Sequence, residues 1–216
     1  MLLSIAYFPP ISYFVMMAKG MKFTADGIIP SAVTLEACET YRKQTWRNRC
    51  RICSASGPEY LNFPIVHENG HELPIREIKV DYSTPWVVRT QRTISSAYDS
   101  SAYFSYYKDE LFSILESRPE TLFELDLEII RFFLRKTGVA ADISFTTCYR
   151  FPQEAGPEDY REAIHPKKPD FILEQEGLLK PYFQVFAVKY GFIANLSIMD
   201  LLFNEGPESI LYLRKA

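Results

Sequence analysis

The chain has 216 residues, 47% of them hydrophobic and 15% aromatic, enough for one sizeable buried core. A formal net charge of −3 excludes a global attraction to nucleic acid or to an anionic membrane, so any basic patch must be local. Four cysteines are too few for a disulfide scaffold at this length, and a reducing cytoplasm is the simplest compartment.

Residues 2–18 are apolar, but Pro9-Pro10 divides them and Tyr7, Ser12 and Tyr13 interrupt them. The stretch falls short of the ~20 apolar residues of a spanning helix, and no basic residue precedes it. It reads as a buried strand over 2–7, a turn, and a helix over 11–18 opened by Pro10 and stopped by Gly20. Asp26-Gly27 and Pro30 mark 22–31 as a loop or an inserted hairpin. A second strand follows over 33–38, ending near Glu39.

The segment 41–53 carries five cations and no acid. From Trp46 onward its spacing suits a strand, which places Arg47, Arg49 and Arg51 on one side and Asn48, Cys50 and Ile52 on the other. Three adjacent guanidinium groups fit a phosphate, carboxylate or nucleotide, because each presents a planar donor fork. They equally fit a solvated face paired with carboxylates. Residues 54–58 form a turn and 60–66 return, with Leu61, Phe63 and Ile65 alternating against Tyr60 and Asn62, so the two strands make a β-hairpin. A turn over 68–71 leads to another strand over 75–81, with Ile78 and Val80 inward and Lys79 and Asp81 outward.

From Pro85 the period becomes helical. Helices are expected over 86–98, 101–116 and 120–136, the last with the stripe Leu122, Leu125, Ile129, Phe132 and Phe133 and with Gly138 after a basic final turn. A strand over 142–148 follows. Residues 150–169 read as a loop with a short helix near 158–163, and 182–187 as a further strand. Ser197 caps a helix over 198–203 with Asp200 as its acidic counterpart, Gly206 stops it, and Pro207 starts the next. The whole is one α/β domain over 1–216, a mixed sheet with an antiparallel hairpin and packed helices.

No metal site emerges. Cys50 and Cys53 have no second pair, and their sulfurs face opposite ways on a strand. His67 and His71 flank Asn69-Gly70, a turn rather than a helix face. His165 stands alone in a polar stretch. Tyr98, Tyr103, Tyr106 and Tyr107, downstream of Trp86, either stack a ring or fill the core at helical spacing. Asp81 and Asp200 are carboxylates able to act as a base, although capping explains Asp200. No Ser/His/Asp order, nucleophile elbow or phosphate loop is present.

Several blocks together resemble the WbqC-like family. They are Ala6-Tyr7-Phe8-Pro9-Pro10 with Tyr13-Phe14; Glu36 and Glu39 through Tyr41-x-Lys43-Gln44-x-Trp46-Arg47-Asn48-Arg49; and Asn62-Phe63-Pro64-Ile65. Ile78-Lys79-Val80-Asp81-Tyr82 with Trp86, the Tyr98 and Phe104-x-Tyr106-Tyr107 run, and the block 192–206 complete the series. Family members occur with genes for surface polysaccharide assembly, and the resemblance implies transfer of an amino acid or acyl group to a sugar amine. On that reading the ligand is a nucleotide-linked amino sugar or another anion, with no cofactor, no nucleic acid and no membrane insertion. Tyr7, Lys43, Gln44, Arg47, Asn48, Arg49 and Trp86 bind it, and Glu39 or Asp81 accepts the amine proton. This sequence departs from the family in an insertion over 22–32, and in having Thr90-Gln91 where many relatives carry a His-Trp pair. The alternative is a non-catalytic anion-binding or assembly protein whose arginines pair internally, with Glu36, Glu39 and Glu59 as the nearest partners.

Overall fold

The structure, a computed structural model, describes residues 1–66 and 73–215. The turn expected at 68–71 and the histidines His67 and His71 lie outside the described residues.

The chain opens with β1 (Leu2–Ser4) and α1 (Ile11–Ala18). Pro10 sits at the N-cap of α1, one place before the expected first helical residue, and every residue of α1 is buried. An exposed hairpin follows, β2 (Lys22–Thr24) and β3 (Gly27–Ile29), turned by Gly27 at φ +133°. The next strands are β4 (Ser31–Glu36), β5 (Arg49–Ser54) and β6 (Gly57–Asn62). Three long helices come next, α2 (Trp86–Tyr98), α3 (Phe104–Glu116) and α4 (Leu122–Thr137), then β7 (Ala141–Phe145). Shorter helices end the chain: α5 (Pro152–Ala155), α6 (Ile172–Gln175), α7 (Ala187–Tyr190), α8 (Ile198–Glu205) and α9 (Ile210–Leu213).

The α/β class holds, with parallel and antiparallel strands in separate sheets. The parallel sheet runs β1-β4-β7, while β2-β3 and β5-β6 are antiparallel pairs. Residues 158–160 cover the outer edge of β1: Leu2 N–H donates to Glu158 C=O, and Tyr160 N–H to Leu2 C=O. The α4 stripe named from sequence is wholly buried, and Phe133 packs edge-on against Phe8 and Phe14. Thr121 and Glu124 close a capping box at its start, and Gly138 ends it at φ +75°. Among the described residues no helix is long and apolar enough to cross a membrane.

Four expectations need correction. Residues 75–81 form a 3-10 turn (Ile75–Glu77) and an extended run that makes single bridges, Lys79 to Thr121 and Val80 to Ile65. Contacts of one residue each build no ladder, though Ile78 and Val80 do point inward. The short helix expected near 158–163 lies at α5, because residues 158–160 pair with β1. Residues 182–187 form no strand; Tyr182 and Gln184 bond through their side chains instead. Their partner is Asp200, which is therefore no cap. Its carboxylate accepts from the Tyr182 hydroxyl at 2.6 Å and the Gln184 amide at 2.9 Å, while Ser197 caps α8 through Met199 N–H.

Candidate functional site

The arginine segment does not run as one strand from Trp46. Residues 43–48 are a turn in which Gln44 takes φ +59° and Thr45 bonds back to Arg42 C=O. Strand pairing begins at Arg49, so Arg49 and Arg51 share a half-exposed face and Cys50 and Ile52 are buried behind it. Arg47 is turned inward and is 4% exposed. Its Nε donates to Glu39 Oε1 at 2.8 Å, and its Nη2 donates to Glu39 Oε2 and, at 2.8 Å, to Ser4 Oγ. A buried carboxylate and a buried guanidinium each demand the other, and this is why Arg47 leaves the face sequence spacing gave it. Lys43 and Gln44 are exposed on the turn.

The turn after β1 docks on this segment through Tyr7 N–H to Trp46 C=O at 2.8 Å. Tyr7 lies edge-on to Phe63, Phe63 is 5.5 Å from Trp86, and Trp86 stacks on Tyr82. Above this aromatic row is a hollow of about 380 Å³ between the β5-β6 hairpin and α2. Tyr60, Phe63, Trp86, Arg89, Thr90 and Thr93 line it. Arg49 lies over the Tyr60 ring, 5.3 Å from its centroid.

Four residues nominated from sequence hold buried polar atoms with no hydrogen-bond partner among the described residues: Tyr7 Oη, Asn48 Oδ1, Arg49 Nε and Trp86 Nε1. Asn48 spends its amide on Phe63 C=O at 3.4 Å, which ties it to the same row. Each orphaned group costs about 1–3 kcal/mol in a closed interior, and of the four residues Trp86 lines the hollow itself. Burial pushes the Tyr7 phenol well up, with the charges of Cys50 and Asp126 adding to it. Thr90 lies close enough to oppose this slightly without reaching hydrogen-bond geometry. Asp81 flanks the rim: its N–H donates to Pro64 C=O, and its Oδ1 accepts from Ser83 N–H.

Glu39, the partner of Arg47, lines a second hollow, of about 790 Å³, at the carboxyl ends of β4 and β7. Glu39, Arg42, Tyr149, Phe151, Arg161 and Glu162 line it. Arg161 is held by Glu36 at 2.8 Å and by Asp159 at 2.6 Å, and it covers the Tyr149 ring. Crevices at this end of parallel strands are the usual ligand sites of α/β sheets.

The structure thus brings together Tyr7, Asn48, Arg49 and Trp86, sets Asp81 at the rim, and separates Glu39 and Arg47 into an ion pair. Sequence reasoning missed Arg89 and Thr93, and named Thr90 only as a departure from relatives, although with Trp86 they recur at the spacing of one helix face. It also missed Asp126, buried on α4, with both oxygens unpartnered among the described residues. Burial raises the Asp126 carboxyl well above the ordinary range, and the Arg47 charge opposes this. All four cysteines are free thiols.

The uncharacterized protein Rv1507c of Mycobacterium tuberculosis (strain ATCC 25618 / H37Rv) is 26% identical over 198 residues, covering 81% of this chain and 84% of that protein. No solved structure matches the chain. A family model described as the WbqC-like protein family matches residues 6–162, from the turn that carries Tyr7 to the far wall of the larger hollow. On that match the chain belongs to the WbqC-like protein family.

Proposed function

We propose that the protein transfers an acyl or aminoacyl group to the amine of a nucleotide-linked amino sugar, in the service of surface polysaccharide assembly. The supporting observation is the set of orphaned polar atoms on Tyr7, Asn48, Arg49 and Trp86 beside an aromatic-walled hollow. A base or sugar ring stacks against Tyr60 and Trp86, whose faces suit such rings. Because Glu39 fills the Arg47 fork, the diphosphate falls to Arg49 and Arg89. The Trp86 indole and the Asn48 carbonyl orient the sugar. The amine nitrogen attacks the donor carbonyl, the bond from that carbonyl to its leaving group breaks, and Asp81 takes the amine proton.

Calorimetry with a panel of nucleoside-diphosphate amino sugars tests this reading. Binding by the wild type, weakened in Arg49→Ala, supports it. Absence of binding across the panel counts against it.

The Arg47–Glu39 pair favours a second reading, a non-catalytic assembly protein in which the arginines are structural. In that case Arg49→Ala lowers the melting temperature and alters no ligand response.

A further inference from the structure

On one face of the parallel β4–β7 pair, cross-strand side chains meet rung by rung. The register sets Thr34 opposite Ser144, and their hydroxyls are 3.0 Å apart. One rung further, the Thr146 hydroxyl donates to Glu36 at 2.5 Å. The ladder still holds there, with Thr146 N–H donating to Leu35 C=O at 3.1 Å. Two residues beyond this rung along either segment, where both strands have given way to bends, stand Cys38 and Cys148.

The strands end at that point in a particular way. Ala37 N–H turns to the Thr146 hydroxyl at 2.9 Å instead of the Thr146 carbonyl. The Cys38 thiol takes that carbonyl, at 3.5 Å. Cys38 is half-buried and lines the larger hollow, and Cys148 is exposed just before the Tyr149 wall. The Cys38 thiol is thus anchored on the backbone two residues before Cys148, within reach of the ~4.4–6.8 Å between Cα atoms that a disulfide spans after a small movement of either bend.

We propose that Cys38 and Cys148 form an oxidisable dithiol at the rim of the hollow at the carboxyl ends of β4 and β7. The oxidant is a small-molecule disulfide of the glutathione class. The Cys148 thiolate attacks one sulfur of that disulfide, forming a mixed disulfide and releasing one small thiol. The Cys38 thiolate then attacks the Cys148 sulfur, forming the protein disulfide and releasing the second small thiol. Two protein thiols lose two electrons, the small disulfide gains them, and the two protons leave on the released thiols. The new bond fastens the segment carrying Glu39 and Arg42 to the one carrying Tyr149 and Phe151, all four of which line the hollow. Cys50 and Cys53 stay out of this chemistry, since both are buried and burial pushes both thiols up. This assignment stands apart from the proposed transfer reaction and is tested without any sugar ligand.

The full chain is incubated with oxidised glutathione, digested without reduction and mapped by mass spectrometry. The expected result is one intrachain pair joining the Cys38 and Cys148 peptides, a loss of two of the four titratable thiols, and recovery of both on reduction. Cys148→Ser and Cys38→Ser each convert the cross-link into a glutathione adduct on the remaining cysteine. Wild-type chains carrying glutathione on both residues without a cross-link would overturn the proposal. So would an unchanged thiol count, or cross-links between chains alone.

Discussion

The Glu39 carboxylate closes on the Arg47 guanidinium from two sides, with both side chains almost wholly withdrawn from solvent. Removing either partner leaves a bare buried charge, so Arg47→Met or Glu39→Met is expected to destabilise the chain by about 3–5 kcal/mol. The double variant, which removes both charges, is expected to recover much of that loss. Urea midpoints of the three variants against wild type measure it.

At the smaller hollow the expected signature is the reverse, with binding affected and stability spared. Trp86→Phe keeps the ring against Phe63 and deletes the orphaned indole N–H, which has no partner to lose. Its melting temperature is expected to stay close to wild type or rise. Loss of the charge-assisted contact in Arg49→Ala is expected to weaken nucleotide-sugar binding by about 1.5–3 kcal/mol, roughly ten- to a hundredfold. Paired titration calorimetry and thermal melts separate the two effects.

Asp200 makes stability depend on pH. Burial pushes its carboxyl up to about 6, against the hydrogen bonds from Tyr182 and Gln184 that favour the anion. The folded chain therefore keeps this proton over a range in which the unfolded chain, with a carboxyl near 3.8, has lost it. The contribution is fully present below about pH 4 and falls as pH rises to about 6, by roughly 3 kcal/mol at 1.36 kcal/mol per pH unit. In Asp200→Asn the same side-chain bonds persist without titration. The difference in unfolding free energy between variant and wild type is expected to grow in favour of the variant from pH 4 to pH 7, as followed by denaturant titration.

Gly206 ends α8 at φ +54°, and a methyl group there would lie 2.5 Å from Tyr103 Cδ1. Gly206→Ala is expected to cost about 1–3 kcal/mol from overpacking, with backbone strain in addition. In a Tyr103→Ala background the added cost is expected to shrink to the strain alone. A double-mutant cycle on thermal unfolding reads this coupling.

Much of the fold was legible where one periodicity ran long enough to dominate. The α4 stripe, the β5-β6 hairpin and α2 came directly from spacing and caps. Residues 75–81 were misread because alternation reports which side chains are buried, and it does not report whether the backbone finds a neighbour. The candidate site was half legible. Tyr7, Asn48, Arg49 and Trp86 were named from local blocks and do converge in space. Arg47 was misplaced because its partner Glu39 lies eight positions earlier, across a turn that local spacing cannot reveal. Asp126 sits inside a regular helical stripe, where one acid reads as solvent-facing until the packing of α4 is known.

Helix α1 has a consequence for how this protein can be shortened. It is buried on every side, and its cover includes α6, α8 and α9, all of which follow residue 162. A fragment trimmed to the matched residues 6–162 therefore uncovers part of the apolar surface of α1 to water and offers other copies an adhesive surface. Expression boundaries drawn from the family match alone are expected to yield inclusion bodies, whereas boundaries that retain the last helix keep the material dispersed.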